Sequence, residues 1–172
     1  LGQVACGLVV HGGGPQISAL LQRLDIPSRF VDGLRVTDEA VMETVEMVLC
    51  GQVNKAVVSA LARRGVKAAG ISGRDGSLLQ AVIRNPDLGL VGDVQQVNPA
   101  LIHCLLGGGF VPVVAPVATG PAGQALNINA DTAAGMIAGA LKADYFVLIS
   151  DVPGVLDAHG KLLPVLTGKD CD

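Results

Sequence analysis

The fold of this chain is decided by residues 4–24, VACGLVVHGGGPQISALLQRL. An apolar run over residues 4–10 ends at a glycine-rich loop, and apolar residues then recur at the spacing of one helix face. Pro15 suits the first position of a helix, where its missing N–H group costs nothing. The stretch therefore predicts a strand, a glycine loop and a helix, in that order.

Strand and helix patterns alternate along the rest of the chain. Asp32-Gly33, between short apolar arms, is the strongest short signal for a two-residue hairpin. Periodicity predicts strands over 68–71, 78–83, 111–116 and 145–150, and helices over 41–49, 53–64, 98–106 and 132–141. Continuous apolar strands between helices predict an α/β fold, a three-layer αβα sandwich with an open, mostly parallel sheet. Right-handed crossovers then place the glycine loops at one sheet edge, where ligands bind.

Composition excludes several classes of protein. Half of the 172 residues are apolar, which is enough for a sizeable core. The 12 basic against 15 acidic residues leave a net charge of −3, and aromatic residues make up 2%, so we expect no nucleic-acid partner. The uninterrupted apolar runs fall short of the roughly 20 residues that span a bilayer, so we expect a soluble protein and no membrane.

The cysteines and histidines show no spacing typical of a metal site or a hydrolase. Cys6, Cys50, Cys104 and Cys171 lack a C-x-x-C motif, and at least three of them fall in apolar helix or strand patterns. We therefore expect reduced core cysteines and no metal held by the protein itself.

The glycine loop, residues 11–14, stands immediately before a predicted helix. Unpaired N–H groups and the helix dipole favour an anion at that place, and glycine lets the backbone approach it closely. The alternative is a tight strand-to-helix turn with no ligand. The loop does not match G-x-x-x-x-G-K-[ST], and Ile17 replaces the third glycine of G-x-G-x-x-G, which disfavours a Rossmann dehydrogenase.

Polar residues elsewhere are candidates for ligand binding. Arg35, on the second hairpin arm, suits bidentate binding of a carboxylate, although by itself a lone arginine is more simply explained as a solvated surface charge. Asn127, Asn129 and Asp131 precede or begin a helix, where capping accounts for one or two of them. Asp151 follows a predicted strand at the edge where open α/β sheets bind ligands, and a turn is the alternative explanation.

Five segments, taken together, resemble the acetylglutamate kinases of the wider amino-acid kinase family. They are HGGGPQI at 11–17, GLRVTD at 33–38, GQVNK at 51–55, NINADTAA at 127–134 and SDVPGVLD at 150–157. Their order and spacing match over essentially the whole chain. The resemblance implies transfer of phosphate from MgATP to the side-chain carboxylate of N-acetyl-L-glutamate, which gives N-acetylglutamyl 5-phosphate in arginine biosynthesis.

The same resemblance assigns roles to individual residues. Gly13 and Gly14 would bind the substrate, Arg35 would grip its α-carboxylate from a lid hairpin, and Asn127 would contact it from below. Asp131 would organise the catalytic lysines. The nucleotide would be bound by Asp151, Val152, Pro153, Gly154, Val155 and Leu156. A carboxylate nucleophile is already ionised, so positioning and positive charge suffice for the transfer without a general base.

The resemblance also implies two lobes and an incomplete chain. Residues 1–142 would form the acetylglutamate lobe without its first strand, and residues 143–172 would begin the nucleotide lobe. No lysine here stands in the context of the family's two catalytic lysines, so we expect an internal fragment with little or no turnover of its own.

By resemblance we further expect a homodimer through the substrate lobe, in the cytoplasm, or in the plastid of a plant. One alternative is another amino-acid kinase that acts on a different carboxylate or on a carbamate. The other is a non-catalytic amino-acid-binding or regulatory module.

Overall fold

The structure, a computed structural model, describes residues 7–150, 154–155 and 161–163. Its helices are α1 (Gly14–Arg23), α2 (Glu39–Glu46), α3 (Asn54–Ala62), α4 (Ala100–Gly107) and α5 (Ala130–Leu141), with a π-helical segment, Met47–Val53, joining α2 to α3. Its strands are β1 (Val9–Val10), β2 (Phe30–Val31), β3 (Leu34–Arg35), β4 (Ala68–Ser72), β5 (Leu79–Ile83), β6 (Gly92–Val97), β7 (Val111–Ala115), β8 (Val117–Thr119) and β9 (Ala125–Asn127).

A parallel sheet with the order β1-β7-β4 forms the centre of the molecule. Successive side chains of a strand point to opposite faces, and in β7 both Val114 and Ala115 are fully buried. Val114 packs in one core with Ile102 of α4 and Ile137 of α5, whereas Ala115 packs in a second core formed by α1, α2 and the π-helical segment. Helices therefore cover both faces of the sheet, and the predicted α/β class and its parallel sheet are confirmed.

A second sheet, with the order β6-β5-β8-β9, lies beside the first. Its β5–β6 and β8–β9 pairs are antiparallel, and β5 pairs with β8 in parallel. Of these four strands only β5 was predicted from the sequence. The sheet adds mostly antiparallel pairing to the parallel arrangement that periodicity indicated.

The local signals around the hairpin correspond to well-formed turns and caps. β2 and β3 pair antiparallel around Asp32 and Gly33, whose φ angles of 48° and 76° are typical of a type I′ turn. Asp38 caps α2, since its Oδ1 accepts the Val41 N–H at 2.9 Å. Pro15 lies in the first turn of α1. The predicted Asp32-Gly33 turn is confirmed, and Pro15 lies within the first turn as predicted, one residue after the helix begins at Gly14.

The helix Glu39–Ala62, which includes the π-helical segment, is 24 residues long and has a mean hydropathy of 1.3 in its most apolar window. By length and composition alone such a helix suffices to cross a membrane. One face, carrying Val41, Val45, Val48 and Leu49, is buried against α1 and the sheet. The helix is thus an integral part of the core of this fold.

The predicted strand over 145–150 is wrong. This segment is irregular in the structure, and its side chains are exposed, with Tyr145 at 88% and Ile149 at 97%. Within the described ranges no strand pairs with it. An apolar run indicates that a segment favours burial, but a strand also requires a neighbour that completes its backbone hydrogen bonds.

The expectation of core cysteines is wrong for Cys104, which is exposed on α4, while Cys50 is half-buried. Cys6 and Cys171 lie outside the described residues. The apolar stretch around Cys104 covers the helix all round, so its pattern does not distinguish the inner face from the outer one.

Candidate functional site

A cavity of about 170 Å³ opens where the glycine loop, the hairpin and the start of α5 meet; we call it the glycine-loop cavity. It brings together Gly13, Gly14, Arg35 and Asn127, the four residues to which the family resemblance assigned substrate binding. The volume lies below the roughly 300–1,000 Å³ typical of drug-sized ligands, which suits a ligand of amino-acid size.

The glycine loop presents backbone donors at the start of α1. Among the described residues, the N–H groups of Gly13 and Gly14 have no hydrogen-bond acceptor. The loop reaches this position because a Cβ on Gly13 would stand 2.7 Å from Leu49 Cδ2 and 3.2 Å from Val53 Cγ2. Glycine therefore allows the loop to pack on the π-helical segment, and the free N–H groups make the helix start receptive to an anion.

Arg35 is a buried cation at the wall of the cavity, with 7% of its surface exposed. Its Nη1 donates to Ser28 Oγ, and its Nη2 donates to Ser18 Oγ at 2.9 Å and to Gly14 O at 3.1 Å. The guanidinium also lies 4.6 Å from the centre of the Phe30 ring, which is a cation–π contact. The solvated surface charge considered for Arg35 does not fit this burial.

No carboxylate in the described part of the chain forms an ion pair with Arg35. Burial lowers the pKa of Arg35, but a guanidinium stays protonated in proteins. Its neighbours supply neutral acceptors and leave its charge uncompensated. A buried positive charge of this kind favours an anionic ligand in the adjoining cavity.

Asn127 connects β9 to the base of the hairpin. Its Nδ2 donates to Thr37 Oγ1 at 3.1 Å, and that hydroxyl donates to Arg35 O at 2.8 Å. Thr37 is fully buried, so these hydrogen bonds hold Asn127 and Arg35 in a fixed relation at the cavity. Asn129 caps α5 through a 2.9 Å bond from the Thr132 N–H, as helix capping predicted for part of this cluster.

Asp131 lies apart from the glycine-loop cavity. It is exposed on the first turn of α5 and lines a separate cleft of about 520 Å³, bounded by β1, α5 and residues 145–149, which we call the second cleft. Gly12 and Ala130 line both spaces, so the two lie side by side. The role of Asp131 stays a prediction. No group of three or more metal-ligating side chains occurs among residues that the structure describes.

Most of the predicted nucleotide site lies outside the described residues, namely Asp151, Val152, Pro153 and Leu156. Gly154 and Val155 are described and exposed, and Val155 O accepts the Leu163 N–H at 2.8 Å. Their assignment to the nucleotide stays a prediction.

The sequence placed Asn54 in the segment GQVNK at 51–55 but assigned it no role, and in the structure it is fully buried behind the glycine loop. Its Nδ2 lies 2.9 Å from Val113 O and 3.2 Å from His11 Nε2. Apart from that segment, the local signal is a polar residue that follows an apolar helical run, and such a residue is usually a helix end. Its partners are 43 and 59 residues away along the chain, so local patterns do not reveal them.

Comparison with known proteins places this geometry in a family. The sequence model of the Amino acid kinase family matches residues 7–169. The chain is 51% identical to an acetylglutamate kinase of Gluconobacter oxydans over 95% of this chain and 60% of that protein. It is 53% identical to an acetylglutamate kinase of Acidiphilium cryptum over 93% of this chain and 58% of that protein. The chain thus spans about three fifths of the length of these curated relatives.

Solved structures show the same fold. A crystal structure of a Streptococcus mutans protein has a TM-score of 0.83 at 34% identity, over 88% of this chain and 62% of that chain. An N-acetylglutamate synthase from Neisseria gonorrhoeae has a TM-score of 0.72 at 23% identity, over 90% of this chain and 36% of that chain, and this likeness concerns the fold alone. Because the family match extends over nearly all of its sequence, the chain belongs to the amino acid kinase family.

Proposed function

We propose that the protein to which this chain belongs phosphorylates the side-chain carboxylate of N-acetyl-L-glutamate with MgATP and releases N-acetylglutamyl 5-phosphate and ADP. The observation that carries the proposal is the buried guanidinium of Arg35, which has no carboxylate partner among the described residues and faces a cavity of amino-acid size. Relatives named acetylglutamate kinase, about half identical to this chain, support it.

The residues at the cavity suit the binding of a dicarboxylate. Arg35 would bind the α-carboxylate, and the N–H groups of Gly13 and Gly14 would bind negative charge at the reacting end. Asn127, tied to the hairpin through Thr37, would contact the acetylglutamate from the opposite side. An acetylated amine suits this site better than a free one, because an ammonium group near Arg35 would be repelled.

The transfer itself requires little covalent chemistry from the protein. An oxygen of the ionised side-chain carboxylate attacks the γ-phosphorus, the bond to the ADP oxygen breaks, and no proton has to be removed. Catalysis then consists of alignment and of positive charge around the transferring group. The magnesium ion would enter with the nucleotide as part of the substrate.

We assign the nucleotide side to the neighbourhood of Asp131 and to residues 151–156. The second cleft, which Asp131 lines beside the glycine-loop cavity, supports this assignment. We further propose that residues 1–142 form the acetylglutamate lobe and that residues 143–172 belong to the nucleotide lobe. A cytoplasmic homodimer that associates through the acetylglutamate lobe completes the proposal.

Isothermal titration calorimetry tests the substrate. We expect saturable binding of N-acetyl-L-glutamate to the folded 172-residue chain and much weaker binding of L-glutamate, in the absence and presence of MgATP. Equal affinity for the two ligands would contradict the proposed substrate. If the chain is folded by circular dichroism but binds neither ligand, the same titration with the full-length gene product decides between an incomplete pocket and a wrong substrate. ADP formation by the full-length gene product, dependent on N-acetyl-L-glutamate, separates a kinase from a binding module.

A further inference from the structure

Asn54 occupies a fully buried position at the first residue of α3, directly beneath the central sheet. Its Nδ2 donates to Val113 O at 2.9 Å and to Ile71 O at 3.3 Å. Both partners are carbonyls that only accept, so the amide orientation is determined. Its Oδ1 accepts a hydrogen bond from Lys55 Nζ at 3.0 Å.

The Asn54 amide packs against β4 at Gly70, a residue without a side chain. A Cβ on Gly70 of β4 would stand 1.9 Å from Asn54 Oδ1 and 2.7 Å from Lys55 Nζ. A side chain at residue 70 is therefore incompatible with Asn54 in its place. The π-helical segment, Met47–Val53, ends directly before Asn54, and π-helical turns frequently occur at functional sites.

His11, the first residue of the glycine loop, is the third partner of Asn54. Its Nε2 lies 3.2 Å from Asn54 Nδ2. The two hydrogens of Asn54 Nδ2 are shared among three neighbours, with Val113 O the nearest, and the amide nitrogen accepts none. A hydrogen on His11 Nε2 would therefore point at a group that cannot accept it, whereas the Nε2 lone pair suits this contact. A neutral imidazole then carries its hydrogen on Nδ1, which lies 2.9 Å from Gly12 O and donates to it. Burial lowers the pKa of His11, which keeps the ring neutral near pH 7.

The hydrogen bond to Gly12 O determines the direction of the next N–H group. Gly12 C=O and Gly13 N–H belong to one peptide unit, and the described residues contain no cis peptide, so the two groups point in opposite directions. With the carbonyl held by His11, the Gly13 N–H is directed away from the ring. Gly13 lines the glycine-loop cavity, and its N–H has no acceptor among the described residues.

We infer that Asn54 and His11 are positioning residues: Asn54 selects the Nδ1–H form of His11, and that hydrogen holds the Gly12–Gly13 peptide so that the Gly13 N–H is available to an anionic ligand. The identity of the ligand rests on the proposed function, but the hydrogen-bond chain does not. Neither residue contacts the reacting atoms in this assignment.

A pair of His11 substitutions tests the inference through ligand affinity. His11→Asn keeps a donor close to the position of Nδ1, whereas His11→Leu removes it. We expect His11→Leu to raise the Kd for N-acetyl-L-glutamate about tenfold, the usual effect of one hydrogen bond, and His11→Asn to stay within about threefold of the wild-type chain. His103→Leu makes the same change on an exposed part of α4 and is the control.

An unchanged Kd in His11→Leu, or equal weakening in His11→Leu and His11→Asn, would overturn the inference. Thermal unfolding of each variant shows whether a change in affinity arises from loss of fold.

The imidazole hydrogen itself is the second readout and needs no variant. Long-range ¹H–¹⁵N spectra of the wild-type chain distinguish the two neutral forms of histidine, and we expect the Nδ1–H form for His11. A hydrogen on Nε2 would overturn the inference whatever the ligand results. If the full-length gene product fails to bind N-acetyl-L-glutamate, the proposed substrate is wrong, and this spectrum still decides the role of His11 and Asn54.

Discussion

Replacing Arg35 with methionine separates the ligand-binding role of its charge from the packing of its side chain. Methionine fills a similar length of the buried space but offers no donor and no charge. In the free chain Arg35 donates to two serine hydroxyls and to Gly14 O, and it stacks on Phe30. Its charge has no ion-pair partner in the described part of the chain.

The size of the effect follows from this arrangement. Removing one member of a desolvated charge pair at an interface costs about 2–5 kcal/mol. Here the ligand has to displace neutral acceptors that already satisfy part of the guanidinium, so the lower half of that range applies. We expect Arg35→Met to weaken N-acetyl-L-glutamate binding by about 3 kcal/mol, which is about a hundredfold in Kd.

The stability of the free chain should respond differently. Replacement by methionine removes the cost of burying an uncompensated charge. It also removes three hydrogen bonds and a cation–π contact, of which the cation–π contact alone contributes about 0.5–1 kcal/mol. We expect the free energy of unfolding to change by no more than about 1 kcal/mol. Calorimetric titration measures the first effect, and urea unfolding followed by circular dichroism measures the second.

Arg29→Met is the matched control, because Arg29 is an exposed arginine at the same hairpin that lines a different cleft. Its Kd should equal that of the wild-type chain. A Kd for Arg35→Met within about threefold of the wild type would refute the assignment of Arg35 to the α-carboxylate. Equal weakening in both variants would mean that net charge, and not a specific contact, attracts the ligand.

Four further predictions concern stability and reactivity. Gly89→Ala should lower the free energy of unfolding by at least about 2 kcal/mol, because residue 89 has φ +69° and a Cβ there would stand 2.3 Å from a backbone oxygen. Gly139→Ala, inside α5 with nothing within 4 Å, should raise it by about 0.5–1 kcal/mol in the same urea titration. Burial raises the pKa of Cys50 to about 11, so iodoacetamide at pH 8 should modify the exposed Cys104 well before Cys50 in peptide mass mapping; the reverse order would contradict this. Burial lowers the pKa of His11 from 6.5, so the unfolded chain binds the proton more readily and stability should fall as the pH drops below about 6.5; a slope equal to that of His11→Asn would contradict this.

The parts of the fold that the sequence predicts well depend on contacts between near neighbours. The Asp32-Gly33 turn needs only two residues that tolerate positive φ, and the caps of the helices need one side chain each. The second sheet was largely missed because its strands are short or half-exposed. β6 carries two exposed glutamines, and β8 begins two residues after β7 ends, so its apolar signal merges with that of β7.

In the candidate site, too, the features that depend on near neighbours were predicted and those that depend on distant residues were not. The glycine loop and the hairpin are local, and both were predicted at the cavity wall. The burial of Arg35 depends on Ser18 and Gly14, which are 17 and 21 residues away, and the orientation of His11 depends on Asn54 at a distance of 43 residues. The prediction of a strand over 145–150 was wrong for a related reason. A strand forms only when a second strand pairs with it, and the sequence of one strand does not show which segment its partner would be.

The glycine-loop cavity collects polar groups whose hydrogen-bonding capacity the fold leaves only partly used. The buried guanidinium of Arg35 has no ion-pair partner among the described residues, and this lowers the stability of the free chain. The hydroxyls of Ser18 and Ser28 reduce that cost, because a neutral acceptor satisfies the geometry of the guanidinium but not its charge. A carboxylate ligand would supply both hydrogen-bond acceptors and a compensating negative charge. A carboxamide of the same shape would supply only neutral acceptors, which the serine hydroxyls already provide. We therefore expect the site to select anions through the interactions that the described residues do not complete by themselves.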